Sequence, residues 1–323
     1  MKIFEKIKIE KEREIRIFGI AVLQYGKKII SGGIERYVKL FPTSFEKKEY
    51  KKIIKQYGKD FDDFIIFRSG SGDLVILMQI IADILCKGKR TLILCQRKPQ
   101  VELAKMFYPN LNVVYYPLTS KMFQIFTHTS EKKFKGRFFR TIIEKKFILD
   151  FLSNKHGHIL DGLCDKYGIS KNREPIYPVC QNTELKSAYP FFVIFAPDAV
   201  SVYKIGNDFW KKLETAFAEK GIEVIYNDTT KSFPEIFETA NTALGIVSLR
   251  SGFADLMAFS KSKMVCLYTM MKNPQISVGD VMEKYTLSRL NKNDEKTLEI
   301  AYDEKTTDEI IRRIVDFIVG VQI

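Results

Sequence analysis

The stretch that decides the fold is Phe64-Ile65-Ile66-Phe67-Arg68-Ser69-Gly70-Ser71-Gly72-Asp73-Leu74. An apolar run of strand length ends in a Gly/Ser turn, and Asp73 then opens an apolar run of helix length. Such strand–turn–helix units build α/β domains, whose ligands bind beyond the carboxyl ends of the strands. An anion in the first helical turn is also favoured as a simple cap. The stretch therefore predicts an α/β domain and leaves Asp73 open as a cap or a catalyst.

The same alternation continues along the chain from residue 62. Parallel sheets with helical crossovers follow from such a pattern. The predicted strands are 64–68, 91–95, 112–116, 191–195, 222–226, 244–248 and 264–268, and the predicted helices are 73–87, 99–107, 141–154, 209–220, 234–241, 252–260 and 307–319. Prolines 175, 178 and 190 mark a linker. We predict an α/β fold with two Rossmann-like, doubly wound parallel-sheet domains facing a cleft, at 62–190 and 191–323, the second closed by the final helix.

Composition narrows the class of protein. The chain has 323 residues, 46% of them hydrophobic, and a formal net charge of +13, so it has enough apolar residues for substantial cores and favours an anionic partner. Its five cysteines form no CxxC pair, which favours free, buried thiols and a reducing compartment. We find no signal-peptide pattern and no apolar run near the roughly 20 residues of a membrane span. We expect a cytoplasmic protein.

Residues 1–61 differ from the rest because lysine and arginine dominate, with isoleucines between them. We interpret this segment as a basic N-terminal extension, helical or hairpin-like, packed on the main body. Its alternative role is a basic amphipathic surface at the inner face of the cytoplasmic membrane, where each Lys or Arg contributes about 1 kcal/mol near anionic lipid.

Two further turns carry candidate binding residues. Lys204 follows the strand at 191–195 and can meet a phosphate as a point charge, although an ordinary solvated lysine is equally consistent. Trp210, just beyond it, is expected in the core. The turn Arg250-Ser251-Gly252 precedes a helix containing Asp255, and backbone N–H groups beside an arginine suit a diphosphate. The alternative there is an Arg250–Asp255 ion pair that only caps the helix.

The absence of other motifs argues against several classes of nucleotide-binding and metal-dependent protein. There is no GxxxxGK[ST], and Gly70 and Gly72 lack the third glycine of GxGxxG, so a P-loop and a nicotinamide-dependent hydride transferase are disfavoured. His156 and His158 have no further ligands nearby, and we expect no metal and no cofactor. A basic run beyond residue 130 can hold an anionic acceptor or form a solvated face; its candidate residues are Lys133, Arg137 and Arg140.

Together these elements resemble glycosyltransferase family 9, the bacterial ADP-heptose:lipopolysaccharide heptosyltransferases of the two-Rossmann GT-B architecture. The resemblance spans roughly residues 62–270. It rests on Arg68-Ser-Gly-Ser-Gly72-Asp73-Leu74 and, later, on 192–197, Lys204, Trp210 and Glu219-Lys220-Gly221. The family's Asp-Thr-Gly-x-x-His motif is replaced by Arg250-Ser251-Gly252-Phe253-Ala254-Asp255.

The resemblance implies roles for individual residues. Asp73 is implied as the general base and Lys204 as a donor-diphosphate ligand. Arg250, Ser251, Gly252 and Asp255, at the place of the replaced motif, are our further donor-side candidates from the chemistry of that turn. Around the base, Arg68, Ser71 and Gly72 join Lys133, Arg137 and Arg140 as candidates for the acceptor or a phosphate. Domain 62–190 would then bind the acceptor and 191–323 the nucleotide-sugar.

The expected activity is transfer of a sugar from a nucleotide-sugar to a surface-polysaccharide or lipid-linked glycan, inverting and metal-independent. Two alternatives stay open. A non-catalytic nucleic-acid-binding protein would use the positive charge, although no helix-turn-helix, RNP or GXXG pattern occurs. A nucleotide-sugar epimerase of the same shape would convert donor without acceptor.

Overall fold

The computed structural model describes residues 4–320 except 10–11, 18–19, 31–32, 41–43, 86–87, 118–130, 144–146, 148–150, 153–156, 180–190 and 273–274. The described chain forms two compact units that alternate along the sequence. Unit 1 comprises Met1–Arg68, Leu85–Gln96 and Val114–Leu149, and unit 2 comprises Ser69–Ile84, Arg97–Val113 and Asp150–Ile323. The predicted segments 1–61, 62–190 and 191–323 are each continuous in sequence. The two compact units are not, because parts of 62–190 belong to unit 1 and other parts to unit 2.

Unit 1 begins with a four-stranded antiparallel sheet in which neighbours in sequence pair in space. Its strands are β1 (Phe4–Ile9), β2 (Glu12–Ile17), β3 (Ile20–Ile30) and β4 (Gly33–Leu40). Helix α1 (Ser44–Tyr57) follows. The described residues of the expected extension at 1–61 therefore form a four-stranded β-meander followed by one helix.

The second sheet of unit 1 has the order β7-β6-β5-β9-β8. Its strands are β5 (Asp63–Phe67), β6 (Thr91–Cys95), β7 (Val113–Tyr115), β8 (Glu131–Phe134) and β9 (Arg137–Arg140). Strand β5 is parallel to β6 and β9, and β8 is antiparallel to β9. Helix α1 contributes Tyr50 to this core, where its ring stacks on Phe139 at 3.9 Å between centroids.

The hairpin of β8 and β9 was not predicted, because its high charge suggested a solvated stretch. Lys135 and Gly136 form its two-residue turn with φ of 48° and 77°, the positive pair that a type I′ hairpin turn requires. The buried Phe139 supplies the apolar contact that keeps β9 in the sheet. The sequence signal for this hairpin was Lys135-Gly136 between two short runs in which polar and apolar residues alternate. The helix predicted at 141–154 lies largely outside the described residues.

Unit 2 contains a parallel sheet of order β11-β10-β12-β13-β14. Its strands are β10 (Phe192–Ala196), β11 (Glu223–Tyr226), β12 (Gly245–Leu249), β13 (Lys263–Tyr268) and β14 (Thr297–Ala301). Four of these match predicted strands, and β14 was missed because Thr297-Leu-Glu-Ile-Ala301 is short and half polar. The predicted parallel α/β fold is confirmed here.

Seven of the ten helices described in unit 2 match predicted helices with small shifts, the predicted helix at 73–87 being divided in two, whereas those at 159–167, 278–285 and 288–291 were not predicted. The described helices are α2 (Ser71–Met78), α3 (Ile81–Ile84), α4 (Lys98–Phe107), α5 (Ile159–Tyr167), α6 (Asn207–Ala218), α7 (Phe233–Thr242), α8 (Gly252–Met257), α9 (Val278–Tyr285), α10 (Ser288–Asn291) and α11 (Thr307–Val319). Trp210 is buried against Phe195 and Phe209, as expected for a core residue. Cys95, Cys164 and Cys266 are free and buried, as predicted, while Cys86 and Cys180 lie outside the described residues. In the described part of the chain, no helix combines the length and apolarity needed to cross a bilayer.

Candidate active site

Asp73 is the third residue of α2, and its carboxylate turns back to the start of that helix. Its Oδ2 accepts a hydrogen bond of 3.1 Å from the backbone N–H of Gly70. This is the capping arrangement that the sequence allowed, and it orients the side chain. The side chain remains partly exposed, so the cap does not remove it from possible chemistry.

The first turn of α2 packs directly on the first turn of α8, and two glycines make this possible. A β-carbon added to Gly72 would lie 2.8 Å from the α-carbon of Gly252, and one added to Gly252 would lie 2.6 Å from the backbone nitrogen of Gly72. Both distances are far inside van der Waals contact, so neither position accepts a side chain without backbone movement. The predicted binding glycines therefore act here as a close helix–helix contact.

Arg250 and Asp255 form a buried ion pair beside this contact, with exposures of 7% and 1%. The Nη2 of Arg250 lies 2.8 Å from Oδ1 of Asp255, and its Nη1 donates to Oδ2 at 3.0 Å. Burial by itself lowers the pKa of Arg250, but the Asp255 carboxylate raises it above its ordinary value, so the guanidinium stays charged. The Arg250–Asp255 ion pair that the sequence offered as an alternative is therefore present.

These neighbours also act on Asp73. Burial raises the pKa of the Asp73 carboxyl to about 6. The hydrogen bond from Gly70 opposes that rise, the Asp255 carboxylate adds to it, and Arg250 opposes it. A carboxyl with this pKa is mostly ionised at pH 7 and accepts a proton more readily than an ordinary aspartate. Perturbed carboxyls of this kind are frequent at active sites.

Tyr285, at the end of α9, belongs to this group and was missed by the sequence analysis. Its ring centroid lies 5.1 Å from the guanidinium carbon of Arg250, and its backbone carbonyl accepts the Nε–H of Arg250 at 3.1 Å. Burial raises the pKa of the Tyr285 phenol above its ordinary value, and the Asp73 charge adds to this rise. A tyrosine in a polar helical run carries no sequence signal, so only packing identifies it.

The remaining donor-side candidates are placed differently. Ser251 caps α8, where its Oγ accepts the backbone N–H of Ala254 at 3.4 Å. Ser71 is the first residue of α2. Lys204 lies on the exposed loop after β10 and pairs with Asp198 there. Unit 2 thus brings Gly72, Asp73, Gly252 and Asp255 together, while Lys204 pairs locally.

The acceptor-side candidates of unit 1 have partners of their own. Arg140 forms an ion pair with the buried Asp63, with Nε donating to Oδ1 at 2.9 Å. Arg137 donates to the Gly58 carbonyl at 2.8 Å. Lys133 is exposed and lies 5.4 Å from the centroid of the Phe138 ring, and burial lowers the pKa of Arg68. Their predicted role in binding an acceptor stays a prediction.

The histidine pair divides between described and undescribed residues. His156 lies outside the described residues. His158 is buried and caps α5 through its Nδ1, which accepts the backbone N–H of Leu160 at 3.1 Å. Burial lowers the pKa of His158 to about 3, so the ring is neutral at ordinary pH. His158 therefore has a structural role as a helix cap.

Comparison of the chain with protein-family models and with curated protein sequences finds no match. Solved structures do resemble it. The E. coli heptosyltransferase WaaC with ADP matches with a TM-score of 0.51 and 11% identity, covering 79% of this chain and 99% of that one. The E. coli ADP-heptose lps heptosyltransferase II matches with a TM-score of 0.53 and 11% identity, covering 81% and 100%. Because the sequence identity is only 11%, the likeness shows the fold alone. For the fold, it confirms the resemblance predicted from the sequence.

Proposed function

We propose that the protein is a glycosyltransferase that moves a sugar from a nucleotide diphosphate sugar to a surface-polysaccharide or lipid-linked glycan acceptor. The observation that carries the proposal is Asp73, a partly exposed carboxyl at a helix start whose pKa is raised to about 6. Its place matches the Gly-Asp turn on which the resemblance rests. The heptosyltransferase fold supports the same class of reaction.

In the proposed reaction Asp73 is the general base. It removes the proton from an acceptor hydroxyl as that oxygen attacks the anomeric carbon of the donor. The bond from that carbon to the diphosphate oxygen breaks on the opposite face, so the configuration inverts. The proton ends on the Asp73 carboxyl, and the electron pair leaves with the nucleotide diphosphate. Proton transfer of this kind contributes about 10²–10⁴-fold to a rate.

Cationic and N–H groups of this chain would stabilise the leaving diphosphate without a metal. Lys204 is our choice because its ammonium is exposed on the loop after β10, and its Asp198 partner is also exposed and replaceable by a ligand. Exposed ion pairs of this type are worth only about 0–1 kcal/mol, so exchanging the partner costs little.

The test is turnover with a panel of nucleotide diphosphate sugars. ADP-heptose is tried first because it appears in the name of a matched structure. Asp73→Asn should lower the transfer rate by about 10²–10⁴-fold while donor binding measured by calorimetry persists. Glu235→Gln is the matched control, since Glu235 is also the third residue of a capped helix and accepts the Ser232 N–H at 2.8 Å. That control should leave the rate unchanged.

Full turnover by Asp73→Asn would remove the base assignment. Conversion of the donor to an isomeric sugar without acceptor would instead identify an epimerase, and nuclear magnetic resonance of the product distinguishes the two. Binding of DNA or RNA that weakens steeply with salt, with no turnover on any donor, would favour the nucleic-acid alternative.

We also propose an anionic lipid surface as the site where the acceptor is met. Helix α1 supports this because one face, with Tyr50 and Ile53, is buried in unit 1 and the other exposes lysines. Those exposed lysines are Lys48, Lys51, Lys52 and Lys55. A helix of this kind lies against anionic headgroups through its cationic face, and each lysine adds about 1 kcal/mol.

Vesicle flotation tests the lipid proposal. Wild type should bind vesicles containing phosphatidylserine and not neutral vesicles, and replacing Lys48, Lys51 and Lys55 by Gln should weaken binding about 100-fold. Gln at Lys211, Lys220 and Lys231, which are exposed in unit 2, is the control with the same change in charge. Equal weakening by both triple variants would show that only net charge matters.

A further inference from the structure

Arg250 has its hydrogen-bonding capacity directed to the protein itself. Its Nε donates to the Tyr285 carbonyl at 3.1 Å, and its Nη1 donates to the Ser251 carbonyl at 2.9 Å. Both terminal nitrogens also reach the Asp255 carboxylate, at 2.8 and 3.0 Å. The guanidinium is thus held on three sides and is almost completely buried. A group in this state is poorly placed to receive a diphosphate.

The Asp255 carboxylate lies against the turn that carries Asp73. A β-carbon built on Gly72 would stand only 2.3 Å from Oδ2 of Asp255, so that oxygen occupies the space beside the α-carbon of Gly72. Gly72 immediately precedes Asp73. Arg250 orients Asp255 through two contacts, and Asp255 in turn limits where this part of α2 can lie.

The same pair sets the charge environment of Asp73. Charged or titratable side chains that act on Asp73 include Asp255 and Arg250, from α8 and the turn before it, and Tyr285, from α9. Asp255 and Arg250 act in opposite directions on the pKa of Asp73. Removing either one therefore predicts a shift of known sign.

We infer that the buried Arg250–Asp255 pair is a positioning device for Asp73 rather than a donor ligand: it holds the Gly72 turn in place and balances the charge beside the base. This rests on the proposed function of Asp73. It differs from the donor-side role that the sequence analysis predicted for Arg250 and Asp255, and it assigns a structural role to the residues that replace the family's motif.

The first test is the titration of Asp73 itself, followed by the ¹³C signal of labelled aspartate carboxyls in the full-length protein. Asp73→Asn identifies the signal by its loss. Asp255→Asn should lower the midpoint by about one pH unit and Arg250→Gln should raise it by a similar amount. Unmoved midpoints in folded variants would overturn the inference. This measurement needs no turnover, so it separates the inference from the proposed activity.

The second test is kinetic and uses Arg250→Lys, which keeps both charges of the ion pair but loses the two-pronged contact. We expect kcat to fall at least about tenfold, with the KM for the nucleotide-sugar unchanged and the acid limb of the pH profile in place. An unchanged kcat would overturn the positioning role. A tenfold rise in donor KM with unchanged kcat would show a direct donor ligand and would overturn it as well. If Asp255→Asn and Arg250→Gln do not fold, Arg250→Lys, which keeps a cation beside Asp255, still decides the question.

Discussion

Two turn–helix segments of unit 2 begin with the same Ser-Gly pair, but their aspartates differ in burial and in hydrogen-bond partners. Ser71-Gly72-Asp73-Leu74 and Ser251-Gly252-Phe253-Ala254-Asp255-Leu256 both open a helix with serine and glycine. Asp73 turns back to its own helix start and stays partly exposed, whereas Asp255 is buried and paired with Arg250. Relative to the Ser-Gly pair, Asp255 lies two residues further along its segment than Asp73 does. Position relative to the neighbouring helix decides which role an aspartate can take.

The largest expected effect breaks the buried side of this comparison. Asp255→Asn leaves the Arg250 charge buried without its counterion, and removing one partner of a buried pair costs about 3–5 kcal/mol. Urea unfolding at pH 7 measures it. Asp280→Asn is the control, because Asp280 is an exposed first-turn carboxylate of α9 and should change stability by less than about 1 kcal/mol. Equal costs for both would mean that the pair contributes nothing special.

A slightly smaller effect is expected at the glycine contact that joins the two segments. Gly72→Ala places a methyl group 2.8 Å from the backbone of Gly252 and 2.3 Å from Asp255, which should cost about 3 kcal/mol. Gly279→Ala is the control, since that exposed glycine of α9 has nothing within 4 Å of an added β-carbon. Its replacement should stabilise by up to about 1 kcal/mol. A neutral Gly72→Ala would contradict the close packing.

The raised pKa of Asp73 predicts that the stability of the protein depends on pH. Its folded pKa of about 6 lies above the ordinary 3.8, so the folded state holds the proton more tightly. The stability that this group contributes is therefore present at low pH and is lost as pH rises through about 6. Asp73→Asn removes that loss. The free energy of unfolding of the variant, relative to that of wild type, should therefore rise by about 2 kcal/mol as the pH is raised from 4 to 8.

Thermal or urea unfolding at the two pH values gives that difference directly. A variant whose stability relative to wild type is the same at pH 4 and pH 8 would mean that Asp73 titrates normally. The wild-type transfer rate should fall on the acid side of about pH 6 for the same reason, because protonated Asp73 cannot accept a proton.

The smallest effect concerns the exposed lysine of the donor loop. Lys204→Ala should weaken binding of the nucleotide-sugar about tenfold, because a point charge on the diphosphate is lost. Lys212→Ala is a close control, since Lys212 is an exposed lysine paired with Asp308, as Lys204 is with Asp198. Calorimetry on both variants decides the role. An equal, small change in both would leave Lys204 as a surface residue.

The sequence alone determined most strands and helices of the two domains, because apolar periodicity is a local property, but it missed the short, half-polar β14 and the charged hairpin of β8 and β9. It also located Asp73 at a helix start and offered the Arg250–Asp255 pair as one of two interpretations. Tertiary structure decided the rest. Phe139 makes β9 a sheet strand, Gly72 and Gly252 serve a helix contact, and Tyr285 joins the group around Asp73. Whether a charge is buried, paired or available depends on which distant segments pack around it, and the local sequence pattern does not reveal those segments.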